Sequence, residues 1–218
     1  METVGFIGLG NMGGGMAGNI QKAGYPMVVY DLREEATRPF LEGGARLGNS
    51  PANVAERCDV TLTSLPGPRE VELVATGTEG VLEGIRPGSV YIDLSTSRPT
   101  LIRELEVKFR AKGVHVLDAP VSGGKSGAQS RNLAVMVGGE REIFDRVKPL
   151  LDAFGDKVFL RRRDRRRLGG QARSQHDRPR CAAGHRRGPD PWRQGRRRPG
   201  TAVGVHPPRL AGPHERPA

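Results

Sequence analysis

Short apolar runs alternate with amphipathic segments through residues 1–159. This alternation is typical of βαβ units built on a parallel sheet. The apolar runs predict strands at Thr3–Gly8, Met27–Tyr30, Val60–Ser64, Val90–Leu94, His115–Asp118, Leu133–Val137 and Lys157–Phe159. The amphipathic segments predict helices at Met12–Lys22, Thr100–Lys112 and Glu140–Phe154. The pattern therefore predicts an α/β fold with a doubly wound, mostly parallel sheet.

The pattern ends near Phe159, and the charge changes with it. Residues 1–159 contain 18 Lys+Arg and 20 Asp+Glu, whereas residues 160–218 contain 17 Arg, no Lys and 4 Asp+Glu. The formal net charge of +11 therefore arises in the last segment. That segment is rich in Arg, Gly, Pro and Ala and has almost no periodic apolar face, so it cannot bury enough surface to offset its ordering entropy. The sequence predicts a folded domain over 1–159 and a disordered, low-complexity basic tail over 160–218.

The glycine-rich motif of Gly8, Leu9, Gly10, Asn11, Met12 and Gly13 follows the first predicted strand and opens a predicted helix. In a G-x-G-x-x-G turn, the first glycine permits the tight turn and the second lets backbone approach a pyrophosphate. The third lets helix and strand pack closely, and the helix N-terminus attracts the phosphates. The alternative is a glycine-rich turn without a ligand, but the strand and helix on either side favour a dinucleotide site.

An acidic residue, Asp31, ends the second predicted strand at the interval after the glycines that dinucleotide-binding proteins use. Its carboxylate is expected to accept hydrogen bonds from the adenosine ribose hydroxyls, which favours NAD over NADP. Arg33 lies close enough in sequence to reach a 2′-phosphate, so NADP stays an alternative. A solvated loop cation is the other interpretation of Arg33.

A second motif, Asp118-Ala119-Pro120-Val121-Ser122-Gly123-Gly124, also follows a strand. Ser122, Gly123 and Gly124 offer a hydroxyl and unobstructed N–H groups that suit a carboxylate; the alternative is a plain loop. Open α/β sheets bind ligands at the carboxyl ends of their strands. We expect Leu65-Pro66 and the run Asp93-Leu94-Ser95-Thr96 to line the cofactor groove at that same edge; the alternative for each is an ordinary loop.

The order F-I-G-L-G-N-M-G, V-Y-D, S-L-P, D-L-S-T and D-A-P-V-S-G-G resembles the β-hydroxyacid dehydrogenases. This family includes 3-hydroxyisobutyrate dehydrogenase, tartronate semialdehyde reductase and the glyoxylate/succinic semialdehyde reductases. The resemblance covers residues 3–159. It implies a Rossmann-like domain, an all-helical second domain, and NAD(P)-dependent conversion of a small 3-hydroxy acid to its semialdehyde.

The resemblance also implies roles for individual residues. Ser122, Gly123 and Gly124 would hold the substrate carboxylate, and hydride would pass near Thr96. One departure is Arg131-Asn132-Leu133, where the family usually has a turn like glycine-threonine-leucine. By motif position, the residues expected to bind the cofactor are Gly8, Gly10, Asn11, Met12, Asp31, Leu65, Pro66 and Thr96.

The family's acid/base lysine, in a run like K-L-V-H-N, has no counterpart in this chain. One permitted coding of Gln171–Asp177, read one base later, gives K-L-V-H-N-M. The same shift over Gly188–Gln194 allows G-L-T-L-G-V-K, which resembles the next helix of the family. The sequence therefore indicates a reading frame that slips near Leu160, with the lysine codon misread at Gln171. We expect a catalytically incomplete chain whose oligomer contacts are lost.

A competing interpretation is a non-catalytic NAD(P)-binding module whose basic tail binds polyanions. The Arg clusters 161–163, 165–167 and 196–198 suit phosphates, although Trp192 is the only aromatic residue of the tail that could stack on bases. Non-specific polyanion binding follows from such a charge in either interpretation. The tail histidines fit no metal spacing, so we expect no metal site.

The remaining features of the sequence bear on the compartment. Cys58 and Cys181 give no disulfide framework, which favours a reducing environment. The first residues have no basic segment followed by a long apolar stretch, and no run reaches the roughly 18 apolar residues of a membrane span. We expect a cytoplasmic protein with a small hydroxy-acid or semialdehyde substrate and no membrane partner.

Overall fold

The computed structural model describes residues 1–161, which form an α/β domain. The strands are β1 (Val4–Ile7), β2 (Met27–Tyr30), β3 (Arg46–Leu47), β4 (Val60–Thr63), β5 (Val90–Asp93), β6 (His115–Asp118), β7 (Val121–Ser122), β8 (Leu133–Val137) and β9 (Gly155–Leu160). The helices are α1 (Gly13–Lys22), α2 (Glu34–Glu42), α3 (Pro51–Glu56), α4 (Pro68–Thr76), α5 (Val81–Gly84), α6 (Pro99–Ala111), α7 (Gly124–Ser130) and α8 (Arg141–Leu151).

Six strands form an all-parallel sheet in the order β3-β2-β1-β4-β5-β6. The chain starts in the middle, winds outward to β3, then crosses back to β4 on the other side of β1. This reversal is the topological switch point at which open α/β sheets bind ligands. The fold therefore places the turns after β1 and β4 beside each other.

The last three strands form a separate small sheet in the order β7-β8-β9. β7 pairs with β8 antiparallel, and β8 pairs with β9 parallel. An antiparallel bridge between Asp118 and Gly138 connects the end of β6 to this sheet. The predicted strands at Leu133–Val137 and Lys157–Phe159 therefore belong to a second sheet and not to the main one.

Hydrophobic cores cover both faces of the main sheet, which is why its strands are continuous apolar runs. Phe6 and Leu62 point to the core shared with α1, α7 and α8, whereas Ile7 and Tyr91 point to the core shared with α3, α4 and α6. Successive strand residues therefore face opposite layers. This two-sided burial packs the main sheet between two layers of helices.

The predicted α/β class and mostly parallel sheet are confirmed for residues 1–161. All seven predicted strands and three predicted helices exist, with ends differing by up to three residues. The elements without a prediction are α2, α3, α4, α5, α7, β3 and β7. Three of these seven are very short: β3 and β7 have two residues each and α5 has four, too few to show a period. Helices α2 and α4 have nine residues each. β9 and its pairing with β8 continue to Leu160, one residue beyond the predicted domain end. The predicted tail disorder concerns residues 162–218, outside the described part of the chain.

Candidate functional site

The carboxyl ends of five parallel strands lie level with one another. The register pairs Ile7 with Tyr30 and Thr63, then Thr63 with Asp93, and Asp93 with Asp118. Every turn that follows these residues therefore leaves the sheet along the same edge. The sequence motifs after β1, β2, β4, β5 and β6, although spread over more than a hundred residues, thus converge on one side of the domain.

The glycine-rich turn between β1 and α1 requires glycine at two positions for steric reasons. Gly8 has φ +92°, and a Cβ on it would collide with the carbonyl oxygen of Ser64. A Cβ on Gly13 would collide with the carbonyl oxygen of Gly8. Gly10 is different, because the nearest atom to a Cβ there would be Arg33 Nη2 at 3.9 Å. Its backbone faces open space, which a ligand can approach.

Backbone donors at this turn face a groove. The N–H groups of Gly10, Asn11 and Met12 have no acceptor within residues 1–161. They lie at the start of the ten-residue helix α1, where the helix dipole is positive. The groove has a volume of about 320 Å³, and its lining is Leu9, Gly10, Asn11, Gly14, Gly15, Arg33, Glu35, Ala36, Lys125 and Gln129. Free donors and open space together suit an anionic group such as a pyrophosphate.

Asp31 connects the glycine-rich turn to the β2–α2 turn. Its Oδ2 accepts a hydrogen bond from the N–H of Leu9 at 2.7 Å, and its Oδ1 accepts one from the N–H of Arg33 at 2.9 Å. The Arg33 guanidinium also pairs with Oδ1 at 3.4 Å. A carboxylate offers about four acceptor sites, so capacity remains for ligand hydroxyls. Arg33 is held beside the groove by this pair, although its side chain is 59% exposed.

A buried polar network organises the loops after β4 and β5. Asp93 Oδ1 accepts hydrogen bonds from the Thr63 hydroxyl at 3.1 Å and the Ser95 N–H at 3.1 Å, and Oδ2 accepts one from the Ser97 hydroxyl at 2.9 Å. Ser95 Oγ in turn accepts from the N–H of Leu65 at 2.9 Å. The network therefore fixes the Leu65-Pro66 turn against the loop that carries Thr96.

The pKa of Asp93 reflects this position. Burial raises the pKa of its carboxyl above the ordinary 3.8, and the hydrogen bonds from Ser95, Ser97 and Thr63 offset part of that rise. Asp118, at the end of β6, also has a raised pKa because it is largely buried, and the Arg161 guanidinium paired with it acts in the opposite direction. Neither carboxylate is free: one is enclosed and the other is ion-paired.

Helix α7 forms the other wall of the groove. A Cβ on Gly15 would lie 2.9 Å from the carbonyl carbon of Ala128, so α1 and α7 approach closely. The buried Asn19 side chain donates a hydrogen bond to the carbonyl oxygen of Ala128 at 2.7 Å. These contacts hold α7 against α1, and Lys125 and Gln129 of α7 line the groove together with the glycine-rich turn.

The predicted site residues differ in exposure. Ser122, Gly123, Gly124, Thr96, Pro66 and Asn11 are exposed, and Leu65, Gly10, Met12 and Asp31 are half-buried. Leu9, Gly8 and Gly13 are buried and shape the turn from behind. The structure thus brings the cofactor candidates of the glycine-rich turn, Asp31 and the Leu65 turn together. Ser122 and Gly123 directly precede α7, and Gly124 is its first residue.

Six groove residues have no counterpart in the sequence predictions: Gly14, Gly15, Glu35, Ala36, Lys125 and Gln129. Lys125 directly follows Gly124, so the second motif gave a local signal for it. Its place beside the glycine-rich turn depends on the packing of α7 on α1, which no local pattern shows. The run Asp93-Leu94-Ser95 was expected to line the groove, but these residues are buried behind it, where Asp93 accepts hydrogen bonds that hold the loop.

Two kinds of feature are missing from residues 1–161. This part of the chain has no group of three His, Cys, Asp or Glu side chains that could hold a metal ion. None of its helices combines the length and the apolar character that crossing a bilayer requires.

Known proteins share this domain. The family model described as the NAD binding domain of 6-phosphogluconate dehydrogenase matches residues 3–161. Mitochondrial 3-hydroxyisobutyrate dehydrogenase of Mus musculus is 43% identical over 155 residues, which are 71% of this chain and 46% of the mouse protein. The chain therefore spans about half the length of the curated relatives it matches.

Two solved structures match the fold of this domain. The Mycobacterium tuberculosis 3-hydroxyisobutyrate dehydrogenase with L-serine matches with TM-score 0.69 and 34% identity, over 73% of this chain and 54% of that one. Psf3 in complex with NADP+ and 2-OPP matches with TM-score 0.68 and 28% identity, over 72% of this chain and 56% of that one. The predicted NAD(P)-binding domain and the resemblance to β-hydroxyacid dehydrogenases are confirmed, and the chain belongs to the 6-phosphogluconate dehydrogenase/β-hydroxyacid dehydrogenase family through its NAD-binding domain.

Proposed function

We propose that residues 1–161 are the cofactor-binding half of an NAD(P)-dependent oxidoreductase that interconverts a small 3-hydroxy acid and its semialdehyde. The observation that carries the proposal is the shared sheet edge. It places unpaired N–H groups at the start of α1 in an open groove. The exposed Ser122-Gly123-Gly124 segment follows β6 and leads into α7, whose Lys125 and Gln129 line that groove. A dinucleotide site and a carboxylate site side by side suit a hydroxy-acid dehydrogenase.

In this proposal each segment of the edge holds one part of the ligands. The free N–H groups of Gly10, Asn11 and Met12 bind the pyrophosphate, and Asp31 uses its remaining acceptor sites for the adenosine ribose hydroxyls. Leu65, Pro66 and Thr96 line the nicotinamide half. Ser122, Gly123 and Gly124 bind the substrate carboxylate. The Asp93 network keeps the Leu65 turn and the Thr96 loop in register with each other.

The reaction needs a proton relay as well as a cofactor. When bound, the nicotinamide takes a hydride from the carbon bearing the hydroxyl, or returns one to the carbonyl carbon. The hydroxyl proton must leave in the oxidation direction, which requires a general base. Asp93 is fully buried, Asp118 is paired with Arg161, and no lysine follows Lys157 in the sequence. We therefore propose that this chain binds cofactor but has little or no turnover.

The experiment is a calorimetric titration of the full chain with NAD+ and NADP+, followed by an assay with 3-hydroxyisobutyrate and L-serine that records NADH formation. We expect binding of NAD+ and negligible turnover. Absence of NAD+ binding would contradict the cofactor role. Turnover in the ordinary enzyme range of about 1–10³ s⁻¹ would contradict the incompleteness.

The domain division and the frame slip need a test on the gene, since they concern residues 162–218. Resequencing the codons from Lys157 to Asp177 should reveal a gained or lost base near Leu160. Restoring the frame should then restore the lysine and turnover together. If the present frame is correct, the alternative function is a non-catalytic NAD(P)-binding module. A tail with a defined preference for one polyanion structure would favour that alternative. A cytoplasmic location stays a prediction, to be tested by fractionation.

A further inference from the structure

We propose that Lys125 is a further cofactor-binding residue, whose ammonium group binds the dinucleotide pyrophosphate from the α7 side of the groove. This inference rests on the proposed function. It adds a side-chain cation to a site that otherwise uses backbone N–H donors. It also assigns a role to a residue that lies outside the glycine-rich motif and the Asp31 position.

The packing of α7 places Lys125 at the phosphate end of the groove. Lys125 lines the same cavity as Leu9, Gly10 and Asn11, the residues of the glycine-rich turn. Helix α7 is fixed on α1, because Ala128, one turn after Lys125, contacts α1 and accepts the 2.7 Å hydrogen bond from the buried Asn19. The Lys125 backbone is therefore held in place, while its exposed side chain is free to reach a ligand.

The charges around the groove leave Lys125 available. The ionisable residues in its lining are Arg33, Glu35 and Lys125. Arg33 is already paired with Asp31 at 3.4 Å. Within residues 1–161, Lys125 has neither an ion pair nor a side-chain hydrogen bond to another group. An anion in this groove would bind the unpaired Lys125 ammonium group on one side and the free backbone N–H groups on the other.

The pyrophosphate is the part of the cofactor that fits this position. The N–H groups of Gly10 and Asn11 and the positive end of the α1 dipole face the same space, so negative charge is attracted there from several directions. The adenosine ribose belongs beside Asp31, on the β2 side, and carries no charge for Lys125 to meet. We infer that the Lys125 ammonium group and the glycine-rich turn bind the diphosphate from opposite sides of the groove.

The test compares Lys125→Met with Lys108→Met. Lys108 is an exposed lysine on α6, outside the groove lining, so its substitution makes the same charge change away from the site. Calorimetric titration with NAD+ and with ADP-ribose should show about tenfold weaker binding for Lys125→Met and unchanged binding for Lys108→Met. Lys125→Arg should retain most of the affinity. The difference between Lys125→Met and the unchanged chain should shrink as salt is added.

The outcomes separate this inference from the proposed function. If the unchanged chain binds NAD+ and Lys125→Met binds it within twofold, Lys125 has no such role and the cofactor site stands without it. A loss for NAD+ but not for ADP-ribose would place Lys125 at the nicotinamide end and overturn the inference. If the unchanged chain binds no NAD+, the proposed function fails and this inference fails with it. Equal thermal unfolding of the two Met variants excludes misfolding as the cause.

Discussion

The two walls of the groove are built in different ways. The glycine-rich wall, Gly8–Gly13, owes its shape to contacts within the turn and to its neighbours in the sheet, such as the carbonyl of Ser64. The α7 wall, Gly124–Ser130, owes its position to a hydrogen bond between residues 109 apart in sequence. The glycine-rich wall is therefore a local wall, which a single added Cβ that collides with the backbone should disrupt. The α7 wall is a long-range wall, which should be disrupted when the contact that holds the helix is removed, even if every residue of the helix is unchanged.

The largest expected effect breaks the local wall. Gly13→Ala places a Cβ on the carbonyl oxygen of Gly8, and both are backbone positions that cannot move aside cheaply. We expect a loss of roughly 4 kcal/mol in the free energy of unfolding, together with the loss of NAD+ binding. Urea denaturation and calorimetric titration measure the two effects.

The matched control is Gly18→Ala in the same helix. A Cβ on Gly18 has nothing within 4 Å, and alanine is the better helix former. This substitution should stabilise the protein by roughly 0.5–1 kcal/mol and leave cofactor affinity unchanged. Equal behaviour of the two variants would show that the turn tolerates a side chain and that steric closeness is not what glycine supplies there.

The next effect concerns the network that joins the β4 and β5 loops. Asp93→Ala removes the acceptor of the Ser95 N–H and of the Thr63 and Ser97 hydroxyls. The buried Ser95 N–H is left unpaired, whereas the Thr63 hydroxyl keeps the Tyr91 hydroxyl as a partner at 2.9 Å. We expect a loss of about 2–3 kcal/mol in the free energy of unfolding, measured by urea denaturation. Asp93→Asn keeps one carbonyl acceptor and should lose clearly less. If both variants lost the same amount, the charge and not the hydrogen bonding would be the source of the effect.

The raised pKa of the Asp93 carboxyl predicts that the free energy of unfolding depends on pH. Burial raises the pKa of folded Asp93 above 3.8, so the folded state holds its proton at pH values where the unfolded state has lost it. Its contribution to stability is therefore fully present below pH 3.8 and is lost as pH rises through the raised pKa. The free energy of unfolding of the unchanged chain should fall relative to Asp93→Asn across that window. A constant difference between the two would contradict the raised pKa.

A smaller effect tests the long-range wall. Asn19→Ala removes the side-chain amide that donates a hydrogen bond to the Ala128 carbonyl, so α7 is no longer fixed on α1 by that bond. We expect a loss of about 1–2 kcal/mol in stability and weaker NAD+ binding, because Lys125 moves with α7. Thermal unfolding and calorimetric titration record both quantities.

Gln21→Ala is the comparison for Asn19→Ala. Gln21 lies on the same helix and donates a similar bond, to the Phe40 carbonyl at 2.8 Å, but toward α2 and not toward α7. It should cost comparable stability without changing cofactor affinity. If Asn19→Ala weakened binding no more than Gln21→Ala, the position of α7 would not control the site.

The two walls also explain what the sequence could predict. Gly8, Gly10 and Gly13 follow an apolar strand, and the spacing to Asp31 is local enough to be recognised. The pairing of strand ends at one edge follows from general rules for parallel sheets. Lys125 could not be assigned to the groove, because nothing near it in sequence indicates that Ala128 packs on Gly15. The acceptor role of Asp93 likewise depends on Thr63, thirty residues earlier.

The smallest effect lies at the end of the long-range wall, at the departure from the family's pattern. Arg131 adopts a left-handed conformation with φ +61°, immediately after α7. A side chain is strained there and glycine is not. Arg131→Gly should raise the free energy of unfolding by about 1 kcal/mol, measured by urea denaturation.

The control is Arg131→Ala, which loses the same 3.5 Å contact to the Asp152 carbonyl but keeps the strain, so it should not stabilise the protein. If Arg131→Gly gained nothing over Arg131→Ala, the strain would already be relieved by the surrounding structure. Because α7 would keep its contacts with α1 in both variants, NAD+ affinity should stay constant while stability changes.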